Sequence, residues 1–472
     1  MDEKKKRKLA VPHVYILLLA IMLICAVLTY LVPAGAYDMH TITVPETGAV
    51  REVVDAQTYH QVESTPVSLL QFLTAVPRGI QEAAQIIFFL FVIGGAMNIL
   101  TETRAIDAGV GRLVKKLSSR SIVLVPVFVI LFSICGATFG MCEETIAFVP
   151  IFIPILLAMG FDSITGAAVV LCGCGAGYAA AFLNPFNVQI SQGIAELPLG
   201  SAMGFRIVMF CCMTLLVTVF LTWYALKIRK NPEKSLMYEA DQHRQDSINL
   251  ESLPDFGGRE KAILLVFAAS IALLVYGVVK LGWYMDELAA IFLGMSMIVA
   301  FIAKDMGFNR YAELFGQGMA GIAGGALVVG FARGILVVLT DGQIVHTILH
   351  SAAGLLGGLP STVSAVGMYI FQCLLNFVIP SASGQAAVSV PIMAPLGDLV
   401  GVTRQTTCIA FQLGDGISNI LTPTSGYFMA ALAAGKVPWN KWAKWILPLI
   451  GLEFLLGAVF VIAAHSMNLG PF

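Results

Sequence analysis

Residues 136–154 read GATFGMCEETIAFVPIFIP, and they set two adjacent carboxylates, Glu143 and Glu144, in the middle of a strongly apolar region. A carboxylate at membrane depth costs roughly 3 kcal/mol or more, so such groups persist only where protein, water or a ligand meets them. Glycines before the pair and prolines after it interrupt helix at the same point. The stretch therefore predicts a hairpin tip, where one half-helix arrives, the chain unwinds and a second half-helix leaves.

The same pattern returns at residues 378–396, which read VIPSASGQAAVSVPIMAPL. The matching prolines Pro150 and Pro391 are 241 residues apart (391 − 150), and the second proline of each motif repeats that offset. The second tip, residues 380–385, is polar but uncharged. A duplicated broken hairpin inside an apolar chain is the sequence signature of a secondary transporter.

The composition agrees with a polytopic membrane protein. The chain has 472 residues, of which 58% are hydrophobic and 12% charged, and its mean hydropathy is +0.84. Soluble globular proteins carry far more charge than this. Nine cysteines lie mostly in apolar runs and are interpreted as packing residues. We find no nucleotide loop, nucleophile elbow or metal-ligand cluster, so neither an enzyme nor a cofactor is predicted, and nothing indicates nucleic-acid binding.

The pattern of apolar runs, breaks and basic flanks predicts two repeats joined by a linker. Each repeat carries a re-entrant helical hairpin and a membrane helix broken at a proline, at residues 184–187 and 422–426. The predicted parts are residues 1–36 with the first span, a loop at 37–77, repeat 1 at 78–226 with hairpin 121–160, a linker at 227–261, two linking spans at 262–304, and repeat 2 at 305–472 with hairpin 361–400.

Basic flanks give this scheme an orientation. Residues 4–8 read KKKRK and precede an apolar run, which predicts a retained first span and a cytoplasmic N-terminus. Counting crossings from there puts the linker in the cytoplasm and the C-terminus outside, and it makes the two repeats inverted. Alternation at residues 41–44 and 53–54, around a turn, predicts a small extracytoplasmic β-hairpin, either a lid or a solvated loop. Residues 105–117 are predicted to form an amphipathic interfacial helix.

Acidic side chains supply the first group of candidate site residues. Glu143 and Glu144, with Thr145 beside them, are interpreted as the counter-charge for a cationic substrate or as a proton carrier; the alternative is a salt bridge to Arg333. Asp415 lies in a Gly-Asp-Gly motif and is a candidate for binding a cation or a substrate amine, or else a capping residue. The glycines that flank it predict a close approach between hairpin and span.

Polar side chains at the breaks supply the second group. Unwound helix exposes backbone groups that lipid cannot satisfy, so it is expected to line a polar cavity. Helix N-termini there favour an anionic group of a substrate. The amide and hydroxyl groups could bind substrate or Na⁺, the latter near Asn184 and Thr422, or they could cap the half-helices. The candidates are Asn184, Asn187, Ser381, Ser383, Gly384, Gln385, Asn419, Thr422, Thr424 and Ser425.

Two further basic sites have competing interpretations. Arg333 is predicted to pair with Glu453 of the last span, or else to clamp a carboxylate; we favour the ion pair. His346 and His350 have the i, i+4 spacing of some metal sites, but without a third ligand they are interpreted as interfacial polar residues.

The motif Val32-Pro33-Ala34-Gly35, the IFFLFVIGGA run at residues 87–96 and both hairpins resemble the bacterial YfcC-like family. That family is grouped with anaerobic C4-dicarboxylate carriers and with basic amino acid antiporters of the arginine/ornithine type. The resemblance covers nearly the whole chain outside the linker and implies the ion transporter superfamily, whose members are usually elevator-type homodimers with a fixed scaffold domain and a moving transport domain.

The superfamily's Ser-Asn-Thr signature is absent from both tips, where Met141-Cys142-Glu143 and Ser381-Ala382-Ser383 stand instead. This departure fits the basic amino acid branch better than the dicarboxylate branch. The sequence thus predicts an all-α polytopic protein of the bacterial inner membrane that exchanges basic amino acids. An ion-coupled carboxylate transporter is the alternative, a channel or sensor is less favoured, and Na⁺ and H⁺ stay open as coupling ions.

Overall fold

A computed structural model describes residues 14–43, 50–55, 57–106, 108–109, 121–138, 140–244, 256–281, 283, 285–304 and 306–470. Within these residues the protein is almost entirely helical, apart from four short strands. The basic run at 4–8, most of the amphipathic segment predicted at 105–117, and the final two residues lie outside the described residues.

The first half of the chain holds helices α1 to α9 and all the strands. Their bounds are α1 Val14–Leu31, β1 Gly35–Ala36, β2 Met39–Thr43, β3 Val50–Val54, β4 His60–Gln61, α2 Leu69–Glu82, α3 Ala84–Glu102, α4 Leu124–Thr138, α5 Thr145–Ala158, α6 Ser163–Ala179, a π-helical turn Pro185–Gln189, α7 Ile190–Ile194, α8 Met203–Lys230 and α9 Tyr238–Gln242.

In the second half, the elements formed by the described residues are all helical. They are α10 Gly258–Tyr276, followed by a π-helical turn Gly277–Leu281, then α11 Met285–Ala303, α12 Phe308–Asp341, α13 Val345–Gly357, α14 Ser361–Val378, α15 Ala382–Val400, α16 Arg404–Asn419, α17 Gly426–Ala434 and α18 Trp439–Ser466.

Helix breaks occur at all four predicted places. Both predicted hairpins are two helices around a non-helical tip, α4 with α5 and α14 with α15. The helix that starts at Ser163 stops before Pro185, and the helix that starts at Arg404 stops before the turn at 422–425. Proline and glycine account for these interruptions, because proline removes a backbone donor and glycine weakens helix.

Six of the described helices are long and apolar enough to cross a membrane: α1, α3, α8, α11, α14 and α18. Helix α12 gives a seventh when its halves Phe308–Gly324 and Ala326–Asp341, bent by 40°, are taken as one span. Helices α4, α5 and α6 are apolar but shorter, as half-spans are.

Three local features are not evident from the pattern of apolar runs. Helix α12 begins at Phe308, because its first turns are polar and do not stand out by hydropathy. Helix α2 was not predicted, although Ser68 and Gln71 form a capping box at its start. Helix α11 is already formed from Met285 onward.

Two groups of helices pack around the breaks. Helix α12 contacts α1, α2 and α3, and α11 contacts α3 and α10. The hairpin helices pack on the broken spans, α4 and α5 on α6 and α14 and α15 on α16, with α8 and α18 beside them. Helix α17 joins the two groups through contacts with α3, α5 and α12.

Glycine lets the hairpins and broken spans approach closely. A Cβ at Gly414 would lie 2.5 Å from the Cβ of Gln372 in hairpin helix α14, and one at Gly173 would lie 3.0 Å from the Cβ of Phe132 in α4. Gly414 therefore meets the hairpin as predicted, and Gly173 makes the corresponding contact in the first half of the chain. Their neighbours Gly175 and Gly416 instead face the opposite broken span, at Ile420 and Ala179.

The linker is more structured at its start than its composition suggested. Asp162, the N-cap of α6, accepts hydrogen bonds from Tyr224 and Ser235, each 2.6 Å long. Asp241 of α9 accepts the backbone N–H of Ser163 at 2.9 Å, and burial raises the pKa of Asp241. The first part of the linker thus docks against the loop that joins hairpin 1 to α6.

The predicted β-hairpin is present between α1 and α2. Strands β2 and β3 pair antiparallel, with Met39 opposite Val54 and Thr43 opposite Val50, while the turn between them lies outside the described residues. Strands β1 and β4 form a second antiparallel pair. This loop packs against α13, where Tyr59 stacks on His350 with ring centroids 3.8 Å apart.

One contact of this loop is expected to depend on pH. The backbone N–H of Tyr37 donates to Nδ1 of His346 at 3.2 Å, and burial lowers the pKa of His346. A histidine with a lowered folded pKa contributes stability that is complete above its unfolded pKa, about 6.5, and is lost as the pH falls through that value. Acidification should therefore lower the protection factors of the amides of β1 and β4, that is, their protection relative to the intrinsic exchange rate at each pH.

The matched variant is His346→Gln, whose side-chain carbonyl can still accept the Tyr37 N–H but does not titrate. The protection factors of these amides in the variant should be nearly the same in neutral and mildly acidic buffer. An unchanged acid response in the variant would mean that another group opens the loop.

Candidate functional site

The four breaks surround a cavity of about 410 Å³ between the two helix groups. Its wall includes Ala83 and Ile86 at the α2–α3 junction, α12 from Val329 to Leu336, both hairpin tips, and the start of α17. Sites for small molecules commonly have this size. The side chains of Cys142, Tyr178, Ala382 and Tyr427 form one apolar cluster, so the two tips meet α6 and α17 at this point.

Among the described residues, the charged side chains on this cavity wall are those of Glu143 and Arg333. Glu143 precedes α5 at the first tip, and Arg333 projects from the second half of α12. Arg333 makes no ion pair or hydrogen bond with any residue that the structure describes. The cavity therefore combines one carboxylate with one guanidinium, whose planar fork suits a carboxylate ligand.

The predicted ion pair between Arg333 and Glu453 was wrong. Arg333 lies at the cavity, whereas Glu453 is 1% exposed within α18 and makes no salt bridge with any described residue. The sequence placed each residue in an apolar helix, but it could not show which face each helix turns toward the other. The structure places Arg333 at the cavity and not beside Glu453.

The two adjacent glutamates have different surroundings. Glu143 is on the cavity wall and Glu144 is not. Oε2 of Glu144 accepts the backbone N–H of Cys142 at 3.1 Å, and Thr145 donates its hydroxyl to the carbonyl of Cys142. Glu144 and Thr145 therefore close the turn that precedes α5.

The second tip presents a helix start to the cavity. Ser381 is the N-cap of α15, and its hydroxyl accepts the N–H of Gly384 at 3.4 Å. Ser381 and Ser383 line the cavity. Gln385 points away, because its amide donates to the side chain of Gln372 at 2.7 Å within the same hairpin. Helix N-termini carry partial positive charge, so this tip favours an anionic group.

Asn419 reaches the cavity from the end of α16. Its amide donates to Oδ1 of Asp415 at 3.3 Å, and its Oδ1 accepts from Asn376 at 3.2 Å. Asp415 is fully buried behind it, and Oδ2 of Asp415 has no hydrogen-bond partner among the described residues. Sequence reasoning missed Asn376, whose only signal was a polar residue near the end of an apolar hairpin helix.

The turn between α16 and α17 contributes hydroxyl groups. Thr424 lines the cavity and donates to the carbonyl of Phe377 at 2.7 Å, and its hydroxyl lies 2.8 Å from that of Thr422. Ser425 is the N-cap of α17, and its buried hydroxyl has no partner within the described part of the chain. Gly426, the first residue of α17, also lines the cavity.

Asn184 and Asn187 hold the first broken span together and are not on the cavity wall. Asn184 accepts the N–H of Phe186 at 2.8 Å and donates to the carbonyl of Gly136 at 3.2 Å. Asn187 donates to the carbonyl of Tyr178 at 3.0 Å. These contacts match the capping alternative, and they tie the break to the first hairpin and to a tyrosine that lines the cavity.

Sequence reasoning also missed the buried Arg206 at the start of α8. It is fully buried and donates to the side-chain carbonyls of Gln405, at 3.1 Å, and of Gln412. A lone arginine at the start of a long apolar helix was the available signal. Its partners are neutral and belong to α16, so Arg206 ties α8 to the second broken span.

Comparison with known proteins places the chain in a family. Residues 11–466 match the family model described as the C4-dicarboxylate anaerobic carrier, DcuC. A relative from Escherichia coli strain K12, named "Putative basic amino acid antiporter YfcC", is 35% identical to this chain over 500 residues. The match covers 99% of this chain and 99% of the relative. An uncharacterized protein from Haemophilus influenzae is 29% identical over 508 residues with the same coverage.

Two solved structures are also similar. The YdaH transporter of Alcanivorax borkumensis has a TM-score of 0.43 and 17% identity, with 97% of this chain and 99% of that chain covered. MtrF of Neisseria gonorrhoeae, described within a class of antimetabolite efflux pumps, has a TM-score of 0.41 and 17% identity, with 96% and 95% covered. From the full-length family match, this chain belongs to the C4-dicarboxylate anaerobic carrier family and is a multi-pass membrane transporter of small molecules, not an enzyme.

Proposed function

We propose that this transporter exchanges amino acids, and that its substrates are basic ones of the arginine/ornithine type. The observation that carries the proposal is the pair of opposite charges, Glu143 and Arg333, on the wall of one cavity. An amino acid zwitterion needs one group for its carboxylate and one for its amine. A carboxylate and a guanidinium in a desolvated site meet both needs.

The carboxylate of the substrate has two kinds of partner in this proposal. Arg333 offers a bidentate guanidinium, and the starts of α15 and α17 offer the positive ends of helix dipoles. Ser381, Ser383 and Thr424 supply neutral hydroxyls nearby. Glu143 then receives the amine or the guanidinium of the substrate, and Asn419 connects the cavity to the carboxylate of Asp415.

The name of the Escherichia coli relative supports the basic substrate, since it describes a basic amino acid antiporter. Transport of a C4-dicarboxylate is the second candidate, and both the family description and Arg333 favour it. Against it, a dianion would meet Glu143 as a like charge, which costs several kcal/mol in a desolvated site. The described wall offers Arg333 and no second basic side chain to offset that repulsion.

For the mechanism we propose an elevator cycle in a homodimer of the bacterial inner membrane, with inverted repeats, a cytoplasmic N-terminus and an extracytoplasmic C-terminus. The repeated breaks at an offset of 241 residues support the repeats. The position of the cavity between two groups of packed helices supports movement of one group against the other. Na⁺ near Thr422 stays a proposal for the coupling ion, since Thr422 and Thr424 bring two hydroxyls together.

Uptake into proteoliposomes tests the proposed exchange. Labelled arginine is supplied outside vesicles that contain arginine, ornithine or neither. We expect internal arginine or ornithine to accelerate uptake, because an exchanger returns to the outward-facing state only with a substrate bound from inside. If the rate of uptake is the same with and without an internal amino acid, exchange is ruled out. Uptake of succinate or malate, without any response to basic amino acids, would replace the proposal with dicarboxylate transport.

A further inference from the structure

Glu453 is a buried carboxyl group that the proposed substrate site does not use. It is the single acidic residue of α18 and is 1% exposed. Its Oε2 has no hydrogen-bond partner among the described residues, and no described arginine, lysine or histidine pairs with it. Structural carboxylates in apolar cores normally have such a partner, so this one calls for another explanation.

The groups that face Glu453 are neutral or bonded elsewhere. Tyr369 of α14 and Cys172 of α6 are two titratable side chains close enough to be affected by its charge, and both are neutral at ordinary pH. On the other helices packed against α18, Arg206 of α8 bonds to glutamines and Asp415 of α16 bonds to Asn419.

On α18 itself, Lys444 and His465 lie more than two turns away from Glu453. An isolated carboxylate in such surroundings is strongly disfavoured relative to the neutral acid. The arrangement therefore favours a carboxyl group that carries a proton while α18 is packed in place.

Glu453 lies where α18 meets the second hairpin. The hydroxyl of Tyr369 lies 3.3 Å from the carbonyl of Phe454 and donates to it. A Cβ at Gly457 would lie 2.6 Å from that hydroxyl, so glycine at this position makes room for the tyrosine. Two turns along α14, Asn376 holds Asn419 at the cavity. A change at Glu453 can therefore reach the substrate cavity through α14.

We propose that Glu453 is a proton-binding site of the transport cycle. One proton joins the carboxylate to give the neutral acid in the packed state described here, and the same proton leaves when the movement of the helix group brings Glu453 into contact with water. Transport is thereby coupled to the proton gradient, in addition to the Na⁺ site proposed near Thr422. This site is separate from the cavity and does not depend on the identity of the substrate.

The first test needs no substrate. Infrared difference spectra of the purified protein between acidic and alkaline buffer report protonated carboxyl groups, and Glu453→Gln should remove one carbonyl band. Glu233→Gln, at an exposed position of the linker, is the control and should leave the band in place. Loss of no band in Glu453→Gln would overturn the proposal.

The second test uses labelled arginine in proteoliposomes with and without an imposed pH gradient. Wild type should respond to the gradient, whereas Glu453→Gln should take up arginine at the same rate in both conditions while still exchanging internal for external arginine. A gradient response that persists in Glu453→Gln would refute the coupling role. If arginine is not transported at all, the proposed substrate fails while the infrared result still decides on Glu453.

Tyr369→Phe separates proton binding from packing. It removes the hydroxyl that bonds to α18 and keeps the ring. We expect the carboxyl band of Glu453 to shift while the response to the pH gradient persists in weakened form. An unshifted band would show that the contact between Tyr369 and α18 does not influence the proton on Glu453, and would contradict a role of α14 in its binding.

Discussion

Replacing Arg333 with methionine is expected to abolish transport while leaving the protein folded. Arg333 faces the cavity and makes no ion pair or hydrogen bond with described residues, so its loss breaks no structural contact that the structure describes. A charge-assisted pair with a substrate carboxylate in a desolvated site is worth roughly 2–5 kcal/mol. That corresponds to a loss of affinity of about 30-fold or more. Arginine binding to purified protein, followed by calorimetry or a thermal shift, measures it.

Two further variants complete this test. Arg310→Met is the control on the same helix, because Arg310 is half exposed and pairs with Glu102 at 3.1 Å. Substrate affinity in this variant should stay within a few-fold of wild type. Arg333→Lys keeps the charge and loses the bidentate fork, so an intermediate affinity is expected. Binding of both arginine and succinate to Arg333→Met at wild-type affinity would show that Arg333 does not contact the substrate.

The helix breaks were predictable because their causes are local. Gly140 lies at the first tip, Pro380 at the second, and Pro185 and Pro423 at the two broken spans. The β-hairpin after α1 was predictable for the same reason, from alternation around a turn. The prolines expected to interrupt helix after the tips instead lie inside α5 and α15, so that part of the prediction was wrong: Pro150, Pro154, Pro391 and Pro395. Helix α2 was missed because a capping box and an amphipathic pattern are weak signals beside long apolar runs.

The partners of buried polar groups were not predictable, because they depend on how distant helices rotate against one another. Asn376 bonds across to Asn419, and Arg206 bonds to Gln405, nearly 200 positions later in the chain. The wrong pairing of Arg333 with Glu453 has the same origin. A charged residue in an apolar helix indicates from the sequence that the charge has a function. Which neighbours the charged side chain faces becomes clear only from the packed structure.

The adjacent residues Glu143 and Glu144 allow a matched comparison. A sequence interpretation treats them alike, as a pair of carboxylates at a hairpin tip. The structure separates them, since Glu143 lines the cavity and Glu144 accepts the N–H of Cys142. Glutamine has nearly the same shape as glutamate and keeps a carbonyl acceptor. Glu143→Gln therefore removes a charge from the cavity. Glu144→Gln keeps the carbonyl acceptor and so conserves the turn.

Glu143→Gln is expected to weaken arginine binding by roughly 2–5 kcal/mol, since it removes the counter-charge for the substrate's positive group. The same change should leave succinate binding equal or stronger, because the repulsion of a dianion disappears. Glu144→Gln should keep the affinity for arginine within a few-fold, because its carbonyl still accepts from Cys142 and the side chain lies off the cavity wall. Arginine and succinate titrations of both variants measure these differences. Equal losses in the two variants would mean that the pair acts as one unit, and unchanged arginine affinity in Glu143→Gln would remove the charge argument for a basic substrate.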